Sequence, residues 1–590
     1  GCQDTDYTLR LMIFFEKKLI DLGLYSTFRN LIMSASRVLT SVEKNGLYLD
    51  REFNNQLLET YKPKIDAARQ AIYDLPRVKK FEKKYNQEKV DKYIQSIESE
   101  LEELDYNDPK DKRKIASREQ KISNIKAGIF TTKKEQELIR PINLGSSVDL
   151  PALMYSEEGF HFEVIKNNES GKPSTDEETL TNLRLTVKKP DSPKAIFLDR
   201  LLELRGLEKM YKTYIEGWNE KVQDDDRLHG RFLIHGTTSG RLSSAEPNAQ
   251  QIPKTSVDPN IKLQLKAPKG TLYIASDFSQ AELRIMAHLS GDETYLNAFN
   301  SGQDPHLAIA ATKYHIPYEE ALKIYEDENH PEHKIWKVRR KQAKQIAFGL
   351  IYGIGAKLLA VKLSDPKSGI IVTPEEAQKE MDIFFGQHPK LKTFLKKQEK
   401  FLRKNGHLVS LFGRKRRLPQ IYSNDKGEEA YALRLALNFP CQSAASDMCL
   451  FGSILIYYLM RQGKLPSTKS VCLVHDANYQ ITKPENINIW SIYEMWQIYR
   501  NPLTKPYFGF QIDDVTMDME FVIGRSMAEE LPFIPGYDYK KMLEPDFSVE
   551  EYMEEHKKYK HIPISEYKKR FNKQMKQYEK DFERTHSMES

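Results

Sequence analysis

Two aspartates stand where a carboxylate is hard to keep charged. Asp277 closes the apolar stretch TLYIAS, and Asp476 occupies the turn of VCLVHDANYQI. A charge beside an apolar strand carries a large desolvation penalty unless something neutralises it. Two such carboxylates from separate segments could meet at a sheet edge and clamp two Mg²⁺ ions. That arrangement activates a hydroxyl nucleophile and stabilises a leaving pyrophosphate oxygen. Either aspartate taken singly reads equally well as a turn or helix-capping residue.

Three further patterns bear on that chemistry. In RRKQAKQIAFGLIYGIG, Arg340, Lys344, Phe348 and Tyr352 recur every four residues, so on a helix they form one slowly drifting stripe, cations first and aromatics after. Glycines 353 and 355 are suited to end that helix. A nucleoside triphosphate has the matching layout of phosphates and a flat base. Arg434, Asn438 and Gln442 also fall at i, i+4 and i+8, within RLALNFPCQSAASDM. Donors there could read the minor-groove acceptors common to all base pairs, or serve as core and capping groups. The loop HGTTSGRLSSAEPNAQQIP, with Arg241 inside it, offers hydroxyls, amides and a guanidinium to a phosphate backbone, although such loops are also plain connectors.

The elements that would position these residues follow from periodicity. TLYIASD reads as a strand and SQAELRIMAHL as the helix after it; LVSLF and SVCLVHDANYQI restore strand character after a helical block, so one sheet is expected to draw on both sides of a helical insertion. The first 25 residues read as an amphipathic helix, with a second helix near Arg37 to Lys44. Between Lys79 and Arg140, Ile94, Ile97, Leu101 and Leu104 recur at helical spacing, NDPKDK interrupts, and Ile115, Ile122 and Ile125 resume, which predicts a charged helical hairpin. The tail beyond Gly536, rich in Tyr, Lys and Glu, reads as a loosely attached extension.

Composition sets outer bounds. A chain of 590 residues exceeds one compact core. Its net charge of +6 is the difference between 90 basic and 84 acidic residues and argues weakly for any partner. The apolar stretch Met448 to Met460 is short for a membrane span and is expected to be a buried helix. No basic and apolar leader opens the chain, and Cys2, Cys441, Cys449 and Cys472 show no CxxC pairing, so neither a secretory signal, a disulfide framework nor a zinc site is expected.

Taken together and in order, the segments resemble family A DNA polymerases of the bacterial DNA polymerase I type. TTSGRLSSAEPNAQQIP is similar to that family's TxTGRLSSxxPNLQNIP loop, SDFSQAELRIMAHLSGD to its motif A, RRKQAKQIAFGLIYG to its motif B, and VHDA to its motif C, normally VHDE. LLELRGLEKMYKTY and PSTDEETL resemble the stretch upstream. The resemblance covers roughly Gly1 to Ile523.

The resemblance implies an α+β right-hand polymerase with palm, fingers and thumb and an antiparallel palm sheet. Its expected divisions are a remnant of a 3′–5′ exonuclease domain (1–28), thumb (29–199), palm (200–299), fingers (300–405), palm again (406–535) and the extension (536–590). Asp277 and Asp476 would be the catalytic metal-binding pair, with the Phe278 carbonyl as a further ligand to two Mg²⁺ ions, for which Mn²⁺ can substitute. His306, Arg340 and Lys344 would hold the triphosphate, Phe348 would pack near sugar and base, and Tyr352 would lie near the template base. Glu282 would be the gate against a ribose 2′-hydroxyl, with Gln280 beside it. Arg241, Asn248, Gln250, Arg434, Asn438 and Gln442 would face primer–template DNA, and His475 the primer end. Phe348, where some relatives carry Tyr, implies discrimination against dideoxynucleotides. Ala477 departs from the motif C glutamate and Ala347 from the motif B asparagine. Asp4 matches the last acid of an exonuclease motif whose tyrosine is missing, so no proofreading is expected. The expected partners are primer–template DNA and deoxynucleoside triphosphates, with a monomeric, cytoplasmic chain and no membrane. A single-subunit RNA polymerase and a non-catalytic primer–template binding protein are the rival readings.

Overall fold

The computed structural model describes residues 2–364, 372–500 and 502–560. The chain divides into two compact units, Asn55–Gly217 and the joined stretches Gly1–Asn54 and Trp218–Ser590.

The chain opens with α1 (Cys2–Asp21), which buries none of its residues. The helix forms as expected, but its apolar residues are not covered: Leu11, Met12, Ile13, Phe14 and Phe15 are all half exposed or more. The next helix, α2 (Met33–Asn45), is amphipathic and buries Ala35, Val38, Leu39 and Val42. These side chains share one core with Leu272, Ile274 and Phe278. Residues 29–54, expected with the thumb, therefore pack in the unit that carries the sheet.

Within Asn55–Gly217, the lysine- and glutamate-rich region forms the expected hairpin of α3 (Pro76–Glu102) and α4 (Pro109–Lys126). Asp108 caps α4, accepting from the Lys110 N–H at 2.8 Å, and Pro109 takes the first helical position, where its missing N–H is no loss. Val90, Ile94, Ile97 and Leu101 of α3 pack against Ile115, Ile122 and Ile125 of α4. Past the hairpin, Thr132 and Glu135 form a capping box. A second core in this unit gathers round Phe160 and Phe197, whose ring centroids stack 4.1 Å apart.

The other unit holds a five-stranded sheet. In chain order its strands are β1 (Leu272–Phe278), β2 (Lys469–Val474), β3 (Ala477–Thr482), β4 (Met519–Gly524) and β5 (Leu531–Pro532). Their spatial order is β5-β4-β1-β3-β2, and every pairing is antiparallel. The strand met first thus becomes the central one. Its alternate residues Leu272, Ile274 and Phe278 enter the core, which leaves Tyr273, Ala275 and Asp277 on the other face.

Four helices serve the site. Helix α5 (Ala281–Ser290) leaves β1 after a tight turn; α6 (Pro305–Lys313) and α7 (His333–Ile351) follow. The long α8 (Lys426–Arg461) packs beneath α5, with Cys441 Sγ 3.8 Å from Met286 Sδ. It is long and apolar enough to cross a membrane, but 72% of its apolar window is buried inside the molecule, as in a core helix. The four cysteines are free, three of them buried.

Two expectations fail here. LVSLF does not join the sheet: His407–Val409 pairs only with Lys415–Arg417 in a two-stranded ribbon. The place beside β1 is taken instead by β4, which periodicity did not single out. The stretch after Gly536 is not loosely attached over its described part. Tyr539, Met542 and Tyr552 are buried in the main core, and the Tyr552 hydroxyl donates to the Pro532 carbonyl at 2.7 Å. A helix, α9 (Val549–Lys560), ends the described chain; residues 561–590 of that extension lie outside it.

Candidate active site

The register of β1 and β3 brings the two aspartates together. Asp277 pairs directly with Ala477, and Asp476 is the residue before it, in the two-residue turn from β2. The carboxylates therefore meet at the end of two central strands, not at the sheet edge. On its other side Asp277 pairs with Glu520 of β4.

Both loops that carry the aspartates are held in left-handed backbone by non-glycine residues, Gln280 (φ 57°) and His475 (φ 53°). Each is braced. Beyond β1, the Ser279 N–H donates to the Asp518 carbonyl at 3.0 Å, and Arg284 donates to the Ser279 carbonyl at 2.7 Å and to the Thr516 carbonyl. At the other turn, the His475 N–H donates to Gln250 Oε1 at 2.9 Å, while Gln250 Nε2 donates to the Leu473 carbonyl. The amide of Gln250, expected at DNA, also holds the turn that presents Asp476, with one N–H donor and one acceptor site of its oxygen still uncommitted to that turn. Asn248 does similar local work: its Oδ1 accepts from the Gln250 N–H at 3.1 Å and faces Ser244 Oγ at 3.0 Å.

Around the pair the charges are uneven. Burial, then the charge of Asp476, then that of Glu520, raise Asp277 from 3.8 to about 6, although its outer side meets solvent. Burial raises Asp476, with Arg241 opposing. The Asp476 Oδ1 atom is buried without a hydrogen-bond partner. An orphaned carboxylate oxygen beside a second raised carboxylate is a hard, under-neutralised donor set, which fits Mg²⁺. Among the described residues no three of His, Cys, Asp and Glu form a metal cage, so such an ion would complete its shell with water and substrate oxygens. Phe278 anchors the strand end, its buried ring edge-on to Tyr499 at 5.4 Å; His475 has much of its surface open to solvent, and partial burial of its ring, then the charge of Arg241, lowers its pKa.

Glu282 ties this sheet end to α7. It is buried, its carboxylate pairs with Arg241 and accepts from the Tyr352 hydroxyl at 2.5 Å, and burial raises its pKa. Arg241 belongs to the GRLSS loop, whose Gly240 (φ 87°) lies so close to Arg414 that a Cβ there would come within 2.7 Å of it. Tyr352 follows the last turn of α7. The next residue, Gly353 (φ 68°), lies against α8: a Cβ there would meet Arg434 and Leu437 at 3.1 Å.

The predicted stripe on α7 is real. Phe348 and Tyr352 stack at 6.3 Å, and Lys344 Nζ lies 5.8 Å from the Phe348 ring. Arg340 is paired with Asp304 at 2.6 Å. Sequence reading passed over Asp304, yet its signal was present: it caps α6, accepting from the Leu307 N–H at 2.7 Å, directly before Pro305. His306, behind it, is buried with both ring nitrogens unpartnered and its ring 5.8 Å from Phe348. Burial lowers its pKa to about 4, so the imidazole is neutral at pH 7. Buried Gln280 Oε1 is likewise unpartnered. On α8, Arg434 is exposed while Asn438 and Gln442 are partly buried, and Asn438 Oδ1 has no partner.

Comparison with known proteins fits this geometry. The sequence profile of DNA polymerase family A matches residues 110–487. The chain belongs to DNA polymerase family A. It is 32% identical to the thermostable DNA polymerase I of Thermus aquaticus over 319 residues, 54% of this chain and 35% of that protein. To the DNA polymerase I of Pseudomonas aeruginosa it is 32% identical over 336 residues, 57% of this chain and 33% of that one. The chain spans about a third of the length of these curated relatives. Among solved structures, the POL domain of Pol1 from M. smegmatis, in complex with DNA primer-template and dNTP, superposes with a TM-score of 0.65 at 24% identity, covering 88% of this chain and 74% of that one. The fold is that of a right-hand polymerase, α+β with an antiparallel palm sheet.

Proposed function

We propose that this chain is a DNA-directed DNA polymerase, adding deoxynucleotides to a primer 3′ end opposite a DNA template and releasing pyrophosphate. The observation that carries the reading is the register that sets Asp277 beside Asp476, at a strand end tied through Glu282 and Tyr352 to the Arg340–Lys344–Phe348 face of α7. On this reading Asp277 and Asp476, with the Phe278 carbonyl, hold two Mg²⁺ ions, or Mn²⁺ in their place. When bound, such ions neutralise charge on the phosphates and make a 3′-hydroxyl a better nucleophile.

The protein's own groups do the rest. Lys344 and Arg340 hold the triphosphate; Arg340 first exchanges Asp304 for phosphate oxygens, a swap between two charge-assisted pairs. His306, neutral and buried, offers one ring N–H and no charge to the same oxygens. Phe348 packs on sugar and base, Tyr352 abuts the templating position, and Gln280 lies by the gate. Glu282, held by Arg241 and Tyr352, fills the space a ribose 2′-hydroxyl would need. Arg241, Asn248, Gln250, Arg434, Asn438 and Gln442 face the primer–template DNA, with His475 near the primer end. The chain works as a cytoplasmic monomer, with the helical block 300–405 as fingers and the thumb, expected over 29–199, represented by the compact unit Asn55–Gly217.

Extension of a labelled primer with Mg²⁺ tests this, wild type beside Asp277→Ala and Asp476→Ala. The expected result is extension with deoxynucleotides and not ribonucleotides, lost in both variants. Extension with ribonucleotides would favour an RNA polymerase. Duplex binding without any extension, even with Mn²⁺, would leave only a primer–template binding protein.

A further inference from the structure

Asp277 has two cross-strand neighbours, and the chain treats them oppositely. On β3 it faces Ala477, where the family's motif C carries glutamate; on β4 it faces Glu520. Directly opposed residues of an antiparallel pair point to the same face, with Cβ atoms about 4.5–5.5 Å apart. The face is fixed independently: Met519 and Ile523, on either side of Glu520 along β4, are buried in the core, while Glu520 is exposed like Asp277. A carboxylate is thus absent from one flank of Asp277 and present on the other.

Like charges placed directly opposite each other destabilise a sheet unless a cation lies between them. The other acid that bears on Asp277, Glu530, is already paired with Lys262 at 3.0 Å. Glu520 is not grouped closely enough with the two aspartates to form a cage. A carboxylate outside the direct ligand set can still act on a Mg²⁺ ion through its waters, since Mg²⁺ dehydrates reluctantly and keeps several of them.

We propose that Glu520 is the third carboxylate of this site, a positioning residue that orders the water shell of a divalent cation held by Asp277 and Asp476 and replaces, from the opposite strand, the charge that Ala477 lacks. The inference rests on the polymerase reading above. Outer-shell partners typically alter metal affinity by about 10–100-fold when removed.

The test is Mn²⁺ binding to the full chain, followed by electron paramagnetic resonance, for wild type, Glu520→Gln, Asp277→Asn and the double variant Glu520→Gln/Ala477→Glu. Glu520→Gln is expected to weaken Mn²⁺ binding by about tenfold. The Mg²⁺ concentration for half-maximal extension should rise in parallel, with the rate at saturating Mg²⁺ little changed. The double variant should recover the lost affinity, because the charge returns on the other flank. If Asp277→Asn abolishes binding while Glu520→Gln binds as wild type, this inference falls and the polymerase reading stands. Failure of Ala477→Glu to restore binding overturns it as well, since the loss would then not be one of charge. If Asp277→Asn also binds as wild type, no cation is held there and both readings fall.

Discussion

The aspartates are presented by two locally unfavourable backbone conformations. His475 sits at φ 53° immediately before Asp476, and a left-handed non-glycine residue persists only where its surroundings impose it. Gln250 imposes it, gripping the turn from both sides through Leu473 and His475. We expect Gln250→Ala to lower unfolding stability by about 0.5–1.5 kcal/mol, the net worth of an ordinary hydrogen bond where water can reach the freed partner. The extension rate should fall by roughly tenfold or more through misplacement of Asp476, because small shifts at a reacting centre are costly. Thermal melts and primer–template binding, measured together, decide the matter. A residue that only touched DNA would weaken binding and leave the melt unchanged. The resemblance led to Gln250 as a DNA contact; its bond to a strand more than two hundred positions away was not legible, because no local spacing encodes it.

At the scale of elements, the helical hairpin and the α7 stripe were readable because both rest on a 3.6-residue period within one segment. The capping box after the hairpin shows what such local order contributes. Burial pushes the Glu135 carboxyl up, but hydrogen bonds from the Thr132 and Thr131 backbone, the Thr131 hydroxyl and Lys121 more than reverse this, bringing it from 4.5 to about 2. A carboxyl whose folded value is depressed lends stability that is present above its unfolded value and lost as pH falls through the folded one. Urea unfolding should therefore find Glu135→Gln less stable than wild type at pH 7, with the gap closing between pH 4.5 and about 2. A gap that stays constant across that window would mean that ionised Glu135 contributes nothing through these bonds. The strands were less legible. LVSLF has apolar β-formers but pairs within its own ribbon, whereas MEFVIG took the place beside β1. Propensity marks a segment as able to be a strand; the partner is chosen by the fold.

For the whole molecule, the C-terminal stretch is the clearest departure from expectation. Its apolar residues fall at irregular intervals among many charges, so no periodic face announces burial, yet Tyr539, Met542 and Tyr552 close the same core that holds β1 and α2. Each fully buried side chain of this kind stabilises by about 1.5–3 kcal/mol. Ending the chain at Pro535 should consequently lower its melting temperature by several degrees and reduce extension activity; a shortened chain that melts like the full one would show these contacts to be dispensable. The sequence alone determined what local chemistry can encode: two carboxylates after apolar strands, a cation-to-aromatic helix face, a polar loop rich in Gly, Ser and Thr, and the family they belong to. The tertiary structure alone decided what lies beside what. Strand register paired Asp277 with Ala477 on one side and Glu520 on the other, and put Gln250 beneath the Asp476 turn. Side-chain pattern repeats along a strand every two residues whatever its neighbour is, so cross-strand pairing is fixed only when the whole core closes.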